Sequence, residues 1–177
     1  VYVEPSNSAA VLYYTLKINV SIANVPEPGV YSYEFKLYYD NTSLHATKAE
    51  IPPDHWLKPM DSSKISIVDS GTIHQTQGYV SFAATLLGDE PEKTGNGTLA
   101  TVTFRVEDTG RSNITISDLV LVTSEGDYWT PEKYDVYSGL LEAVQPDFNH
   151  DGRVDTSDLE IMRQAFGSYP DNERWNR

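Results

Sequence analysis

The chain has 177 residues, a net charge of −13 at pH 7 and no cysteine. Its length suffices for one sizeable hydrophobic core with a small appendage, and its negative charge argues against binding to nucleic acids or anionic membranes. The missing cysteines exclude disulfide scaffolds, thiolate metal sites and cysteine catalysis. No apolar run reaches membrane-spanning length and no signal peptide is recognised. Because the chain begins at Val1 without methionine, it is expected to be a mature form or an excised fragment.

Residues 1–144 are predicted to form a β domain, because apolar and polar residues alternate in several segments. The even-numbered residues from Leu12 to Ile22 are apolar, which places Asn19 on a wet face. The odd-numbered residues from Tyr31 to Tyr39 repeat this pattern. Further strands are predicted over 80–86 and 100–106, and weaker ones near 65–67, 113–116, 119–121 and 137–144.

Residues typical of turns separate these segments. No helix of normal length is predicted before residue 156. Eight or nine strands, each with one wet face, indicate an antiparallel β-sandwich. The predicted turns lie at 26–29, 40–41, 95–97, 108–110 and 125–127.

The order of these segments resembles that of cohesin domains. Residues 25–44, VPEPGVYSYEFKLYYDNTSL, resemble the family's proline-bearing loop and the alternating strand that ends in Tyr-Asp. Residues 80–84 and 97–104 resemble two of its core segments, and residues 138–144 resemble its final strand. The resemblance spans nearly all of residues 3–144. It implies a mainly β, nine-stranded jelly roll whose family role is to bind dockerins.

A cohesin binds its partner through one flat sheet face, so the resemblance implies that the outward side chains of two strands form the contact surface. The same positions are equally well explained as the solvated sides of two ordinary strands. The candidate contact residues are Ser32, Glu34, Lys36, Tyr38, Ser81, Ala83 and Thr85.

Residues 147–158, DFNHDGRVDTSD, have the oxygen spacing of a calcium-binding loop. Acidic or amide side chains stand at loop positions 1, 3, 5, 9 and 12, and Gly152 at position 6 permits a sharp reversal. Calcium takes about six to eight oxygen ligands, which such a loop can supply. A solvated acidic loop is the alternative. The predicted ligands are Asp147, Asn149, Asp151, the carbonyl of Arg153, Asp155 (directly or through water) and Asp158.

A helix is predicted directly after the loop, over residues 157–166. Leu159, Met162 and Phe166 fall at helical spacing, and Gly167 is a natural stop. No helix is predicted before the loop, because the preceding segment is short and ends in Pro146.

A calcium loop followed by one helix resembles a single repeat of a dockerin. Dockerins normally carry two repeats, whereas residues 168–177 resemble only the connector to the second. The resemblance therefore implies a partial dockerin over residues 145–177. Thr156 and Ser157 are also expected to cap the helix, and Leu159 and Met162 are equally well explained by packing inside the dockerin. The implied partner contacts are Thr156, Ser157, Leu159, Met162 and Arg163.

Four Asn-x-Ser/Thr sequons predict glycosylation and, together with the calcium loop, an extracellular, secreted or cell-surface protein. Millimolar calcium is an extracellular condition, which favours the same location. The sequon asparagines are Asn19, Asn41, Asn96 and Asn113.

Catalysis is not predicted. The histidines His45, His55, His74 and His150 are scattered without a zinc-binding spacing, and the acidic segment 89–92 is typical of a solvated loop. Trp56 and Trp129 instead suggest carbohydrate binding as an alternative function, since aromatic side chains in the loops of a β-sandwich can stack on sugar rings. Burial of both rings at the ends of the sandwich is the favoured alternative.

Three functions remain open from the sequence. The first is a non-catalytic extracellular module that assembles surface or polysaccharide-degrading (cellulosome-like) complexes through cohesin–dockerin pairing, with Ca²⁺ organising the dockerin part. The second is a carbohydrate-binding module with a calcium-stabilised tail. The third is a cell-surface structural domain on which the half-dockerin packs.

Overall fold

The computed structural model describes residues 1–130, 133–144, 146–149, 151 and 153–165. The chain divides into two compact units, Val1–Ala143 and Val144–Arg177. The described residues contain strands β1–β10, a short 3₁₀ helix over Ser62–Lys64 and one α-helix, α1, over Thr156–Ala165. None of the described helices is long and apolar enough to cross a membrane.

The ten strands run in chain order through the first unit and include both short and long elements. Their bounds are β1 Tyr2–Glu4, β2 Asn7–Val11, β3 Thr15–Val30, β4 Ser32–Tyr38, β5 Leu44–Glu50, β6 Ile65–His74, β7 Tyr79–Leu86, β8 Lys93–Val106, β9 Gly110–Val122 and β10 Gly139–Val144.

These strands form the two sheets of a sandwich. The four-stranded sheet has the order β1-β3-β8-β5, and the six-stranded sheet has the order β2-β10-β9-β4-β7-β6. Pairing is antiparallel between β3 and its neighbours, between β5 and β8, and along the row from β10 through β9, β4 and β7 to β6. The mainly β sandwich with one short helix agrees with the fold class predicted from the sequence.

The core lies between the sheets and is built by the alternation seen in the sequence. Tyr33, Phe35 and Leu37 of β4 are essentially fully buried, and so are Phe82 and Phe104 of β7 and β8. The rings of Phe35 and Phe82 stack with centroids 5.2 Å apart. Burying one such side chain stabilises the fold by about 1.5–3 kcal/mol, so this layer accounts for much of the stability of the sandwich.

The structure has ten described strands where nine were expected. Strands β1, β2 and β5 were not predicted, and the two strands predicted near 113–116 and 119–121 are the single strand β9. At the N-terminus, β1 joins the four-stranded sheet and β2 joins the six-stranded sheet. Pro5 lies between them and has no N–H to donate, so a ladder cannot continue through it. The chain therefore changes sheets at this point.

The strand predicted from Leu12 starts later, at Thr15. Tyr13 adopts a left-handed backbone with φ of 68°, and the N–H of Tyr14 donates to the carbonyl of Val11 at 3.1 Å. This reversal leaves the side chain of Tyr14 70% exposed, so its predicted burial is wrong. The alternation beyond it is confirmed, because Ile18, Val20 and Ile22 are all buried.

Two predicted turns lie inside strands. Residues 26–29 belong to the irregular end of β3, and residues 95–97 belong to β8, with which β3 pairs through several register shifts. Gly97 serves close packing and not a turn, because a Cβ there would lie 2.7 Å from Cβ of Trp56. A glycine-rich segment was therefore misread as a turn.

Candidate functional site

The seven residues predicted to form a contact surface lie on one outer face of the six-stranded sheet. Strands β4 and β7 are adjacent, and their register places Ser32 opposite Thr85 and Glu34 opposite Ala83. The next pairs along this face are Lys36 with Ser81 and Tyr38 with Tyr79. In both strands every second side chain is buried, and these residues are the ones in between, so they point away from the core. We call this surface the outer face.

One half of the outer face is flat because its side chains are small. The hydroxyl of Ser32 donates to the carbonyl of Ala84 at 3.2 Å, and the hydroxyl of Thr85 donates to the carbonyl of Leu86 at 3.1 Å. Both hydroxyls are thus held against the backbone. Val120 and Val122 of β9 pair with Glu34 and Ser32 and extend the flat area.

The other half of the outer face carries aromatic and charged side chains. The ring of Tyr79 lies 4.3 Å from that of His74 and 5.3 Å from that of Tyr38, measured between centroids. Lys36 Nζ lies 5.4 Å from the Tyr79 centroid and donates to Asp118 Oδ2 at 2.8 Å. The hydrogen bond to Asp118 raises the pKa of Lys36, which stays protonated. This half therefore offers π faces and a neutralised ion pair.

Glu34 stands between the two halves. Its register partners are Ala83 on one side and Val120 on the other, and its side chain is exposed. Among the described residues no cation or hydrogen-bond donor pairs with it. An acid in this position offers a partner a charge that the protein itself does not neutralise.

Asp69 fixes the irregular strand β6 beside the outer face. Its carboxylate accepts hydrogen bonds from Ser81 Oγ at 2.6 Å, from the N–H of Gly71 at 3.0 Å and from the N–H and hydroxyl of Thr72 at 2.9 and 2.8 Å. Burial alone would raise the pKa of Asp69, but these hydrogen bonds lower it below its ordinary value. The ionised carboxylate holds the bulge between Asp69 and Thr72 in place.

The sequence did not identify the parts of the outer face contributed by β6 and β9. Residues 113–116 and 119–121 were predicted as two weak strands, whereas the structure has one strand, β9, with a register shift near Asp118. Asp118 has a left-handed φ of 52°. After a bulge of this kind, the buried side chains fall at odd-numbered instead of even-numbered positions. The sequence pattern therefore resembles two short strands, although the structure has one.

The five predicted contact residues at the C-terminus all lie in α1. Leu159 and Met162 are 57% and 49% exposed. Arg163 forms a hydrogen-bonded ion pair with Glu160, with N–O distances of 2.7 and 2.9 Å. The predicted Phe166 and Gly167 lie outside the described residues.

Helix capping at α1 differs from the prediction. The side chain of Asp155 accepts a hydrogen bond from the N–H of Ser157 at 2.8 Å, so Asp155 caps the helix. Thr156 and Ser157 instead occupy the first turn. An aspartate that was assigned to the calcium loop alone therefore also starts the helix.

The candidate calcium loop is organised by Asp158. Its Oδ1 accepts the N–H groups of Phe148 at 2.6 Å and Asn149 at 3.3 Å, and its Oδ2 accepts the N–H of Asp155 at 2.9 Å. The hydrogen bond from Asp155 is the main reason why the pKa of Asp158 is lowered. Asp158 thus joins the start of the loop to its end.

Other loop oxygens also face main-chain N–H groups. The N–H of Asp151 donates to Asp147 Oδ1 at 3.2 Å and to Asn149 Oδ1 at 3.0 Å, and the N–H of Arg153 donates to Asp151 Oδ1 at 2.9 Å. Gly152 and His150 lie outside the described residues.

The loop has some, but not all, of the features of a calcium-binding site. Its side chains supply hard oxygen donors, and Asp147 and Asp158 are only 3% and 2% exposed, which is unusual for carboxylates. Within the part of the chain that the structure describes, however, no three acidic or histidine side chains converge closely enough to hold a metal ion. Calcium binding by this loop stays a prediction.

The four sequon asparagines differ in their surroundings. Asn113 is exposed on β9, and Asn96 is exposed but accepts the N–H of Asn24 at 2.6 Å. Asn41 donates to the carbonyls of Gln75 and Thr76. Asn19 is half-buried in β3 and accepts the hydroxyl of Thr101 at 2.9 Å, so the wet face predicted for it is only partly accessible.

Both loop tryptophans pack against the core. The indole N–H of Trp56 donates to the carbonyl of Thr94 at 3.2 Å, and that of Trp129 donates to the carbonyl of Gly29 at 3.1 Å. This agrees with the favoured expectation that they close the sandwich. Trp129 nevertheless also lines two surface depressions.

A family model described as "Cohesin domain" matches residues 14–133. No curated protein matches the chain.

Solved structures with a similar fold include several from the same family. A chain of a type I cohesin–dockerin complex from Clostridium thermocellum is 20% identical with a TM-score of 0.59, covering 78% of this chain and 95% of that one. A type II cohesin from the cellulosome of Acetivibrio cellulolyticus is 17% identical with a TM-score of 0.62, covering 79% and 92%. A non-cellulosomal cohesin from the archaeon Archaeoglobus fulgidus is 15% identical with a TM-score of 0.57, covering 83% and 95%.

Proposed function

The chain belongs to the cohesin domain family, and from this premise we propose that its outer face binds dockerin-bearing proteins. Cohesin domains are non-catalytic interaction modules, so the protein is not proposed to be an enzyme. The arrangement of the outer face is the observation that carries the proposal. A flat area of small residues lies beside a cluster of three aromatic rings, with the unpaired charge of Glu34 between them.

The chemistry of this face suits a protein partner. Small side chains with hydroxyls held against the backbone let a partner approach closely with little loss of side-chain entropy. Tyrosine rings supply large contact areas at low entropic cost, and Glu34 favours a partner with an arginine or lysine nearby. Two of the similar structures are described as cohesins in complex with dockerins from Clostridium thermocellum and Acetivibrio cellulolyticus.

The C-terminal segment is proposed to be a partial dockerin that calcium organises. Support comes from the oxygen spacing over residues 147–158, from the burial of Asp147 and Asp158, and from the helix that begins at Thr156. Asp147, Asn149, Asp151, the Arg153 carbonyl, Asp155 and Asp158 would hold the ion. Its chemistry would be structural, because Ca²⁺ binding neutralises carboxylates that otherwise repel one another.

An extracellular or cell-surface location is part of this proposal. The sequons at the exposed Asn96 and Asn113 support it, as does a calcium loop suited to millimolar Ca²⁺.

The test is a capture experiment with the full chain immobilised. Dockerin-bearing proteins from the same source are offered in calcium and again in EGTA, and captured proteins are identified and titrated. Specific capture that EGTA abolishes is expected, because the dockerin partners need the ion. Absence of capture under both conditions would refute the proposal.

A pair of variants assigns the capture to the outer face. Ala83→Arg places a long charged side chain at the centre of the face and is expected to weaken binding by about 2 kcal/mol or more, about thirtyfold. Thr103→Arg makes the same kind of change on β8, in the other sheet, and is expected to leave binding unchanged. Equal losses for both variants would show that the face has been wrongly assigned.

A further inference from the structure

A cleft at one end of the sandwich lies outside the outer face. It consists of two adjoining depressions of about 280 and 400 Å³ that share Pro26, Trp129 and Lys133. The irregular end of β3 forms one wall and the segment after β9 forms the other. None of the seven predicted contact residues of the outer face lines either depression.

The aromatic lining of this cleft is held rigidly. The indole N–H of Trp129 is bonded to the carbonyl of Gly29 at 3.1 Å, and the hydroxyl of Tyr134 donates to the carbonyl of Leu119 at 3.2 Å. Both rings pack against the core while still lining the cleft. Their position is therefore fixed before any ligand arrives, which reduces the entropy lost on binding.

Tyr128 adds an open ring beside this rigid pair. Its side chain is 70% exposed although its backbone forms a bridge with Val122. An exposed ring on an anchored backbone offers a flat apolar surface with a polar hydroxyl at its tip.

The polar groups around the rings are mostly acceptors. Glu27 and Asp127 are exposed lining residues, and no hydrogen bond or ion pair occupies either carboxylate among the described residues. Lys133 lines both depressions, and its ammonium has no partner within the described part of the chain. The first depression is also lined by Asp135 and by Val1, whose terminal ammonium donates to the carbonyl of Asp135 at 2.7 Å. The cleft thus combines flat rings with the free carboxylates of Glu27 and Asp127 and the free ammonium of Lys133.

We propose that this cleft binds a neutral oligosaccharide. A sugar ring presents a flat face of C–H groups that packs on an aromatic ring, and hydroxyls that donate to carboxylates and accept from an ammonium group. The two depressions lie near the lower end of the roughly 300–1,000 Å³ range of small-molecule sites, which suits a few sugar units and not a folded partner.

Other ligands fit the same groups less well. A proline-rich peptide also packs on aromatic rings, but its prolines offer carbonyl acceptors and no N–H donors. The indole N–H that could satisfy such carbonyls is already bonded to Gly29. An anionic polysaccharide would be repelled by Glu27 and Asp127 and by the net charge of −13.

The test is a binding titration of the full chain with soluble cellohexaose, xylohexaose and mannohexaose. A proline-rich peptide and an acidic oligosaccharide form the remaining arms. We expect saturable binding of at least one neutral hexaose. Tyr128→Ala should weaken it about fivefold to tenfold, as loss of one aromatic contact would.

Tyr14→Ala is the matched control, because Tyr14 is also 70% exposed but lies before the opposite end of β3 and lines neither depression. It is expected to bind as the unmodified chain does. Absence of binding to all three neutral hexaoses would overturn the proposal, as would equal losses in both variants or Tyr128-dependent binding of the peptide alone. Ala83→Arg, which tests the outer face, should leave sugar binding intact, so the two proposals fail separately.

Discussion

The two units of this chain are stabilised by different kinds of contact. In the sandwich, the largest buried side chains are apolar or aromatic, such as Phe35, Phe82 and Phe104. In the second unit, the buried side chains among the described residues are two carboxylates, Asp147 and Asp158, whereas Leu159 and Met162 are about half exposed. Apolar burial should therefore determine the stability of the first unit, and hydrogen bonding and ion binding that of the second.

The largest expected effect tests the apolar side of this comparison. Phe82→Ala removes a ring that stacks on Phe35 in the centre of the core. The free energy of unfolding of the sandwich should fall by about 3–5 kcal/mol, measured by urea denaturation. Tyr14→Ala, which removes an exposed ring, should change it by less than about 0.5 kcal/mol. A loss of similar size in both variants would contradict the assignment of the core.

Asp158→Ala tests the expectation that hydrogen bonding and ion binding stabilise the second unit. This change removes the carboxylate that accepts N–H groups from both ends of the loop. Calcium affinity, measured by isothermal titration, should fall by more than about tenfold, and the far-UV signal of α1 should weaken. The unfolding midpoint of the sandwich should not move. Glu160→Ala, in the same helix but outside the predicted ligands, is the control, and unaltered calcium affinity in Asp158→Ala would refute the loop assignment.

A smaller effect on the free energy of unfolding is expected inside the sandwich, where the hydrogen bonds of Asp69 add to the stability given by the apolar core. The pKa of Asp69 is lowered in the folded state, since its hydrogen bonds outweigh the opposing effect of burial. The ionised form therefore stabilises the fold above the ordinary aspartate pKa of about 3.9, and this contribution is lost as the pH falls through the lowered pKa.

Asp69→Asn tests this pH dependence. At neutral pH it should cost about 1–2 kcal/mol of unfolding free energy, because it weakens the hydrogen bonds that hold the bulge. The difference between the variant and the unmodified chain should shrink below about pH 4. Tyr14→Ala, which removes an exposed ring and no carboxylate, should differ from the unmodified chain by the same small amount at both pH values. A difference that is independent of pH would mean that ionisation of Asp69 does not matter.

The sequence predicted uninterrupted strands better than bulged ones. Strands β4 and β7 alternate without a break, and every outer-face residue predicted on them lies where expected. Strand β9 contains a register shift after which its apolar residues change from even to odd positions. Strand β6 contains two shifts that cancel, so Ile67 and Ile73 keep the same parity on either side of them. Alternation carries no mark of where a bulge falls, because the bulge is fixed by polar contacts, such as the hydrogen bonds that Asp69 accepts, and not by the apolar residues.

The same limit applies to the C-terminal loop and to the cleft. Oxygen spacing in the sequence pointed to the loop, and the helix after it is present, but the capping role of Asp155 depends on backbone direction. The cleft brings together Pro26 and Trp129, which are distant in the chain, so no local pattern could reveal it as a whole. The aromatic residues Tyr128 and Trp129 were a local signal for one of its walls only.

The bulged strand β6 has a further consequence for solubility. It is the last strand of the six-stranded sheet, and it carries Ile67 and Val68, which are 40% and 70% exposed. A straight strand with such residues would be a template on which other chains could add strands and begin to aggregate. The bulge that Asp69 anchors interrupts the regular row of free N–H and C=O groups. We therefore expect the carboxylate to hinder the addition of further strands at this edge.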